Sequence, residues 1–106
     1  MTANVDDFLP NPNWLYYPFG KGLMYFEPVY YRVQVHAALF EGDIQEGGRD
    51  RLNEILNDLR DRGFIRMYSI ILKSHIRART ICRVIGMNRT AEHDSTITYE
   101  LDLRAE

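Results

Sequence analysis

The run FIRMYSIILKSHIRARTICRVIGM, Phe64 to Met87, decides how many strands the protein contains. Isoleucine, valine, tyrosine and threonine recur along all of it, and these residues favour extended, pleated backbone. Strands in small domains usually run about five or six residues, so a single strand cannot span the stretch. Its most polar point is Lys73-Ser74-His75, and a break there yields two strands, Ile65–Leu72 and Ile76–Ile85. Alternation then places Lys73, His75, Arg77, Arg79, Arg83 and Arg89 on one face of the second strand. Ile76, Ala78, Thr80, Cys82, Val84 and Gly86 fall on the other. From Arg66 to Arg89 the chain carries six bases and no acid.

Upstream, Arg49–Arg62 reads as an amphipathic helix. Leu52, Ile55, Leu56 and Leu59 stand at i, i+3, i+4 and i+7, one apolar stripe on an otherwise polar segment. Gly63 follows, suited to a left-handed residue just past the helix, with Phe64 placed to pack back on the last turn. Tyr30–Phe40 alternates as a strand. Tyr31, Val33, Val35, Ala37 and Leu39 lie on one face, and Tyr30, Arg32, Gln34, His36 and Phe40 on the other. Glu41-Gly42-Asp43 ends it. Trp14–Phe19 and Leu23–Phe26 flank Gly20-Lys21-Gly22 as a hairpin, with Pro28 at the edge of its second strand. Two prolines in Leu9-Pro10-Asn11-Pro12-Asn13 exclude helix and central strand there. Residues 1–13 are therefore expected to form an extended arm on a single domain spanning 14–106.

Downstream, Gly86–Ser95 reads as a polar connection. Thr96–Arg104 is a strand with Ile97, Tyr99, Leu101 and Leu103 on its buried face. Together these elements predict an α+β fold: an antiparallel sheet of about five strands with one helix, about 49–62, packed on one face. One helix cannot cover so wide a sheet. The rest of its surface must meet water, the arm or another subunit.

Composition bounds the function. At 106 residues, 45% of them apolar and 26% charged, the chain is an ordinary globular domain. One cysteine excludes an internal disulfide and a thiolate zinc cage. No run approaches the roughly 18 apolar residues of a membrane span, and Met1–Phe8 has neither the basic nor the apolar part of a secretory signal. A cytoplasmic or other intracellular location away from membranes is expected. The net charge of −2 divides unevenly: residues 1–48 hold six acids and two bases, residues 49–106 nine acids and eleven bases. Ten of the thirteen aromatic residues fall within the first forty positions.

No catalytic constellation stands out. His36, His75 and His93 sit on separate elements without metal-ligand spacing, and Cys82 falls on an apolar parity as a small core residue. Gly20-Lys21-Gly22 lacks the spacing of a phosphate loop. No cofactor and no metal are expected. The leading expectation is a non-enzymatic binding or assembly protein, a homo-oligomer or part of a complex. Its partner contacts would be Phe8 and Leu9 on the arm and Trp14, Tyr16, Tyr17 and Phe19 on the aromatic surface. The first alternative is binding of nucleic acid or another polyanion by Lys73, His75, Arg77, Arg79, Arg83 and Arg89, since guanidinium forks match phosphate oxygens. Glu100 and Asp102 on the next strand could instead neutralise Arg79 and Arg83 as cross-strand pairs. The second alternative is a small-molecule enzyme or binder using His36 or His75 in a pocket between sheet and helix.

Overall fold

A computed structural model describes residues 13–39 and 48–104. Eight elements succeed one another: β1 (Leu15–Phe19), β2 (Gly22–Val29), β3 (Arg32–Ala38), α1 (Gly48–Asp61), β4 (Arg66–Leu72), α2 (Ile76–Ile85), β5 (Asn88–Glu92) and β6 (Thr96–Asp102). The strands form one sheet in the order β1-β2-β3-β4-β6-β5.

The sheet is mixed, which corrects the antiparallel arrangement. β3 and β4 run parallel because α1 carries the chain back between them, and every other neighbouring pair is antiparallel. The strand count and the helix count are corrected as well. Phe64–Met87 does contain a break at Lys73-Ser74, but the segment beyond the break is helix α2, not a second strand. Ala78, Ile81, Cys82 and Ile85 stand at i, i+3, i+4 and i+7, the spacing that also marks α1. All four pack inward, while Arg77, Thr80, Arg83 and Val84 are exposed. Tertiary packing of that stripe outweighs the strand propensity of its isoleucines and valine.

Both helices stop by the same device. Gly63 (φ 99°) and Gly86 (φ 100°) are left-handed. Gly63 N–H donates to the Arg60 carbonyl at 3.0 Å and Phe64 N–H to that of Leu59 at 3.2 Å. Gly86 N–H donates to the Arg83 carbonyl at 3.0 Å and Met87 N–H to that of Cys82 at 2.9 Å. In each case the glycine satisfies carbonyls that the helix end would orphan, and the apolar residue after it folds back onto the core.

Two further boundaries differ from expectation. Tyr30 and Tyr31 form the turn between β2 and β3 rather than opening a strand, with Tyr30 at φ 60°. The polar connection 86–95 contains β5, an exposed edge strand whose pairing with β6 is bulged between Arg89 and Ala91. An edge strand needs only backbone groups to pair, so its polar sequence conceals it. The arm, apart from Asn13, and the Glu41-Gly42-Asp43 stop lie outside the described residues.

The core lies on one face of the sheet. Phe19, Met24, Phe26, Val33, Met67 and Ile97 meet Leu52, Ile55 and Leu59 of α1 there, and Cys82 and Ile85 of α2 join the same cluster. The opposite face carries Trp14, Tyr16, Tyr25, Glu27, Gln34, His36, Tyr68, Ile70 and Leu72. Neither helix packs on it, and Ile70 and Leu72 are more than half exposed.

Candidate functional site

The parallel pairing of β3 and β4 is short. It joins Arg32 to Arg66, Val33 to Met67 and Gln34 to Tyr68, and ends there. Beyond that point β3 stays paired to β2 as far as Ala38, and β4 stays paired to β6 as far as Leu72. The sheet therefore parts along its middle while each half keeps its own ladder. Behind the gap, between sheet and α2, lies a cavity of about 240 Å³. Val35, Ala37, Leu39, Ile71, Ala78 and Ile81 give it apolar walls, Ser69 adds a hydroxyl, and His75 and Arg77 supply polar N–H groups. Cys82 also lines it, but burial pushes the thiol up to about 11, so it stays protonated and a poor nucleophile near neutrality.

In front of the gap, on the face without helices, four rings lie nearly parallel. Trp14 stacks on His36 with centroids 5.0 Å apart and planes 12° from parallel, and Tyr25 stacks on His36 at 5.5 Å and 15°. Tyr16 stacks on Tyr25 at 6.0 Å. The Nε2 of His36 lies 3.3 Å from Oε1 of Glu27. At the end of the gap the Tyr68 hydroxyl donates to Oε1 of Gln34 at 3.5 Å, and the Arg32 guanidinium lies 5.3 Å over the Tyr68 ring.

The residues expected to form one aromatic contact surface thus divide between the two faces. Trp14 and Tyr16 belong to the open face. Tyr17 turns towards α1, where its hydroxyl donates to Asp58, and Phe19 is fully buried in the core and unavailable to a partner. Phe8 and Leu9 lie outside the described residues. Burial and the Asp58 carboxylate push the Tyr17 phenol up to about 12, while Tyr17 and Arg62 hold Asp58 below the usual carboxylate range. A phenol whose pKa is higher folded than unfolded stabilises the fold fully below its unfolded pKa, near 10, and loses that contribution as pH rises towards 12. Wild type should therefore lose stability more steeply between pH 10 and 12 than Tyr17→Phe, as read by urea midpoints. Parallel curves would show that the hydroxyl carries no linkage.

The six-base strand face does not exist, because successive residues of a helix turn by about 100° rather than 180°. Arg77 and His75 line the cavity behind the gap. Arg79 and Arg83 turn the other way and join Arg89 around a second hollow with Asn88 and Tyr99. Arg79 donates to the Lys73 carbonyl at 3.0 Å, and Glu92 pairs with Arg89 at 3.0 Å and Lys73 at 3.5 Å. Asp102 pairs with Arg104 rather than with Arg79 or Arg83, and its register partner on β4 is Arg66. The residues that sequence reasoning missed, Ala78 and Ile81 on the cavity wall, were marked by their helical spacing. The parting of β3 and β4 has no local sequence signal.

Among the described residues, no group of three or more His, Cys, Asp or Glu side chains could hold a metal ion, and no helix is long and apolar enough to cross a membrane. No protein-family model and no curated protein matches the chain. Solved structures do. The fold is similar to that of the PaiA N-acetyltransferase from Thermoplasma acidophilum in complex with coenzyme A (TM-score 0.64, 11% identity), with 76% of this chain covering 52% of that one. It is similar to the ribosomal-protein-S18-alanine N-acetyltransferase from Escherichia coli (TM-score 0.61, 19% identity, 89% and 72% of the two chains). It is also similar to an acetyltransferase from Bacillus subtilis in complex with coenzyme A (TM-score 0.64, 15% identity, 92% and 81%). The chain spans about half the length of the first of these enzymes. At such identities the likeness is one of fold. It overturns the expectation of a non-enzymatic assembly protein, which rested on an antiparallel sheet under a single helix: the sheet is mixed and carries two helices, and the fold is similar to those of solved acetyltransferases, among them one of the GNAT family from Staphylococcus aureus.

Proposed function

We propose that the protein is an acyltransferase that moves an acyl group from a coenzyme A thioester to an amine. The observation that carries this reading is the parting of two parallel strands over an apolar cavity, in a fold similar to acetyltransferases solved with coenzyme A. When bound, the thioester supplies an activated carbonyl and a thiolate leaving group.

The residues around the gap suit such a molecule. Between Val35 and Ala37, and between Ser69 and Ile71, no pairing crosses from β3 to β4. Backbone N–H and C=O groups there can bond the amides of an extended arm, much as an added strand would. Val35, Ala37, Ala78 and Ile81 offer apolar contact to its methylenes. Arg77 presents a guanidinium fork to phosphate oxygens, and His75 adds a ring N–H. Cys82 is buried with its thiol pushed up to about 11, which makes it a poor acyl acceptor near neutrality.

Titration of the full chain with acetyl-coenzyme A in a calorimeter tests the reading, followed by thiol release in the presence of a primary amine. Binding with release is expected, weaker at high salt because a charge contact is screened. Arg77→Glu should lower the affinity by about tenfold or more, roughly the worth of one reversed charge contact. No heat of binding and no thiol release would remove the proposal.

A further inference from the structure

We infer that the open face of the sheet beside the gap is the acceptor site, that it takes a small primary alkylammonium ion, and that His36 is the base that deprotonates it, positioned by Glu27. The inference rests on the acyltransferase reading above. Gln34 is the last β3 residue paired with β4, and His36 is the next β3 residue on that face. Its ring therefore stands about 7 Å further along the strand, where the two halves of the sheet part. Neither helix among the described residues covers it, and its side chain is 30% exposed and that of Glu27 37%, so both are held yet reachable.

The ring's surroundings suit a base. Trp14 and Tyr25 stack on it, which restricts its rotation. A carboxylate can only accept, so the contact with Glu27 Oε1 takes the N–H of Nε2 and leaves the lone pair on Nδ1. Among the described residues, the titratable groups facing the ring are Glu27 and Tyr25 from β2, with Tyr16 beyond Tyr25. β4 presents uncharged Ile70 and Tyr68 on this face, and Arg32 lies further back along β3 over the Tyr68 ring. One carboxylate beside two aromatic rings attracts a single cationic group such as an ammonium.

The proton and bond accounts close. The ammonium gives one proton to Nδ1 of His36, and Glu27 steadies the resulting imidazolium. The freed lone pair forms a C–N bond to the acyl carbon as the C–S bond breaks. The second proton leaves the new amide nitrogen for the departing thiolate, and His36 returns the first to water. The amide nitrogen keeps the third.

Trp14 is the only tryptophan, so its fluorescence reports on this site directly. Butylamine titrated into the full chain without thioester should change that fluorescence saturably, with at least about fivefold weaker binding in Glu27→Gln. With acetyl-coenzyme A present, His36→Asn should lower kcat for butylamine by about a hundredfold, the usual worth of a general base, and remove the acidic limb of the pH profile. The KM for the thioester should not move. Glu27→Gln should lower kcat about tenfold and Glu27→Asp should restore part of it, a pattern that a purely structural pair would not give. Melting temperatures near wild type keep these comparisons valid, and the wild-type titration decides the amine site even if a variant fails to fold. Absence of any amine-dependent fluorescence change overturns the site. Turnover by His36→Asn at the wild-type rate overturns the base. A response to a short peptide with a free α-amine but not to butylamine overturns the small-amine class. If wild type binds no acetyl-coenzyme A, the acyltransferase reading and the role of base fall together, and the thioester-free titration still decides the amine site.

Discussion

Ala78→Trp is expected to weaken the proposed binding of coenzyme A by about a hundredfold, or nearly 3 kcal/mol, while the protein stays folded. Ala78 is a half-buried residue of α2 on the wall of the cavity behind the gap. An indole there would occupy much of the about 240 Å³ that a ligand arm must enter. Because the space is already present, the ring fills it rather than displacing packed neighbours, and the strain of overpacking stays small. Ala78→Ser, which adds one atom, should bind almost as wild type. The measurement is calorimetric titration of both variants beside their melting curves. Tight binding by folded Ala78→Trp would place the coenzyme away from this cavity and detach the function from the gap.

The second large effect is on stability. Ile55→Ala should cost about 3 kcal/mol, within the usual range of roughly 2–5 for a buried large-to-small change. Ile55 is fully buried at the centre of the α1 stripe, among residues from both halves of the parted sheet. Its loss removes burial and leaves a void that the surrounding strands cannot close. Against a total of roughly 5–15 kcal/mol for a domain, that is a large share. Ile70→Ser provides the contrast. Ile70 lies on the open face and is 52% exposed, so its change should cost less than about 0.5–1 kcal/mol. Urea unfolding of the two variants compares the faces directly. Equal losses would mean that something covers the open face as thoroughly as α1 covers the other.

Much of the fold was legible in local pattern, and its failures have physical causes. The helix expected over Arg49–Arg62 runs Gly48–Asp61, and its glycine stop at Gly63 holds. The hairpin about Gly20-Lys21 falls where its glycines put it, and the last strand where period-two alternation put it. The same helical spacing and the same glycine stop occur in Ala78–Ile85 and Gly86, yet strand-forming residue types obscured them there. That one misreading turned a basic helix into a basic strand and hid a wall of the cavity. It also left a sheet that a single helix could not cover, and the assembly reading grew from that shortfall.

The candidate site shows the same division. His36 and Trp14 were singled out as chemical groups and Glu27 was not, and the juxtaposition of the three is made by pairing across β1, β2 and β3. The sequence by itself determined periodicity, turn chemistry and which residues are apolar, because these act over a few neighbouring positions. Only the tertiary structure decided that β3 and β4 run parallel and then part, and that both helices share one face. Those outcomes depend on contacts between segments some thirty residues apart, where packing of whole elements outweighs any local preference.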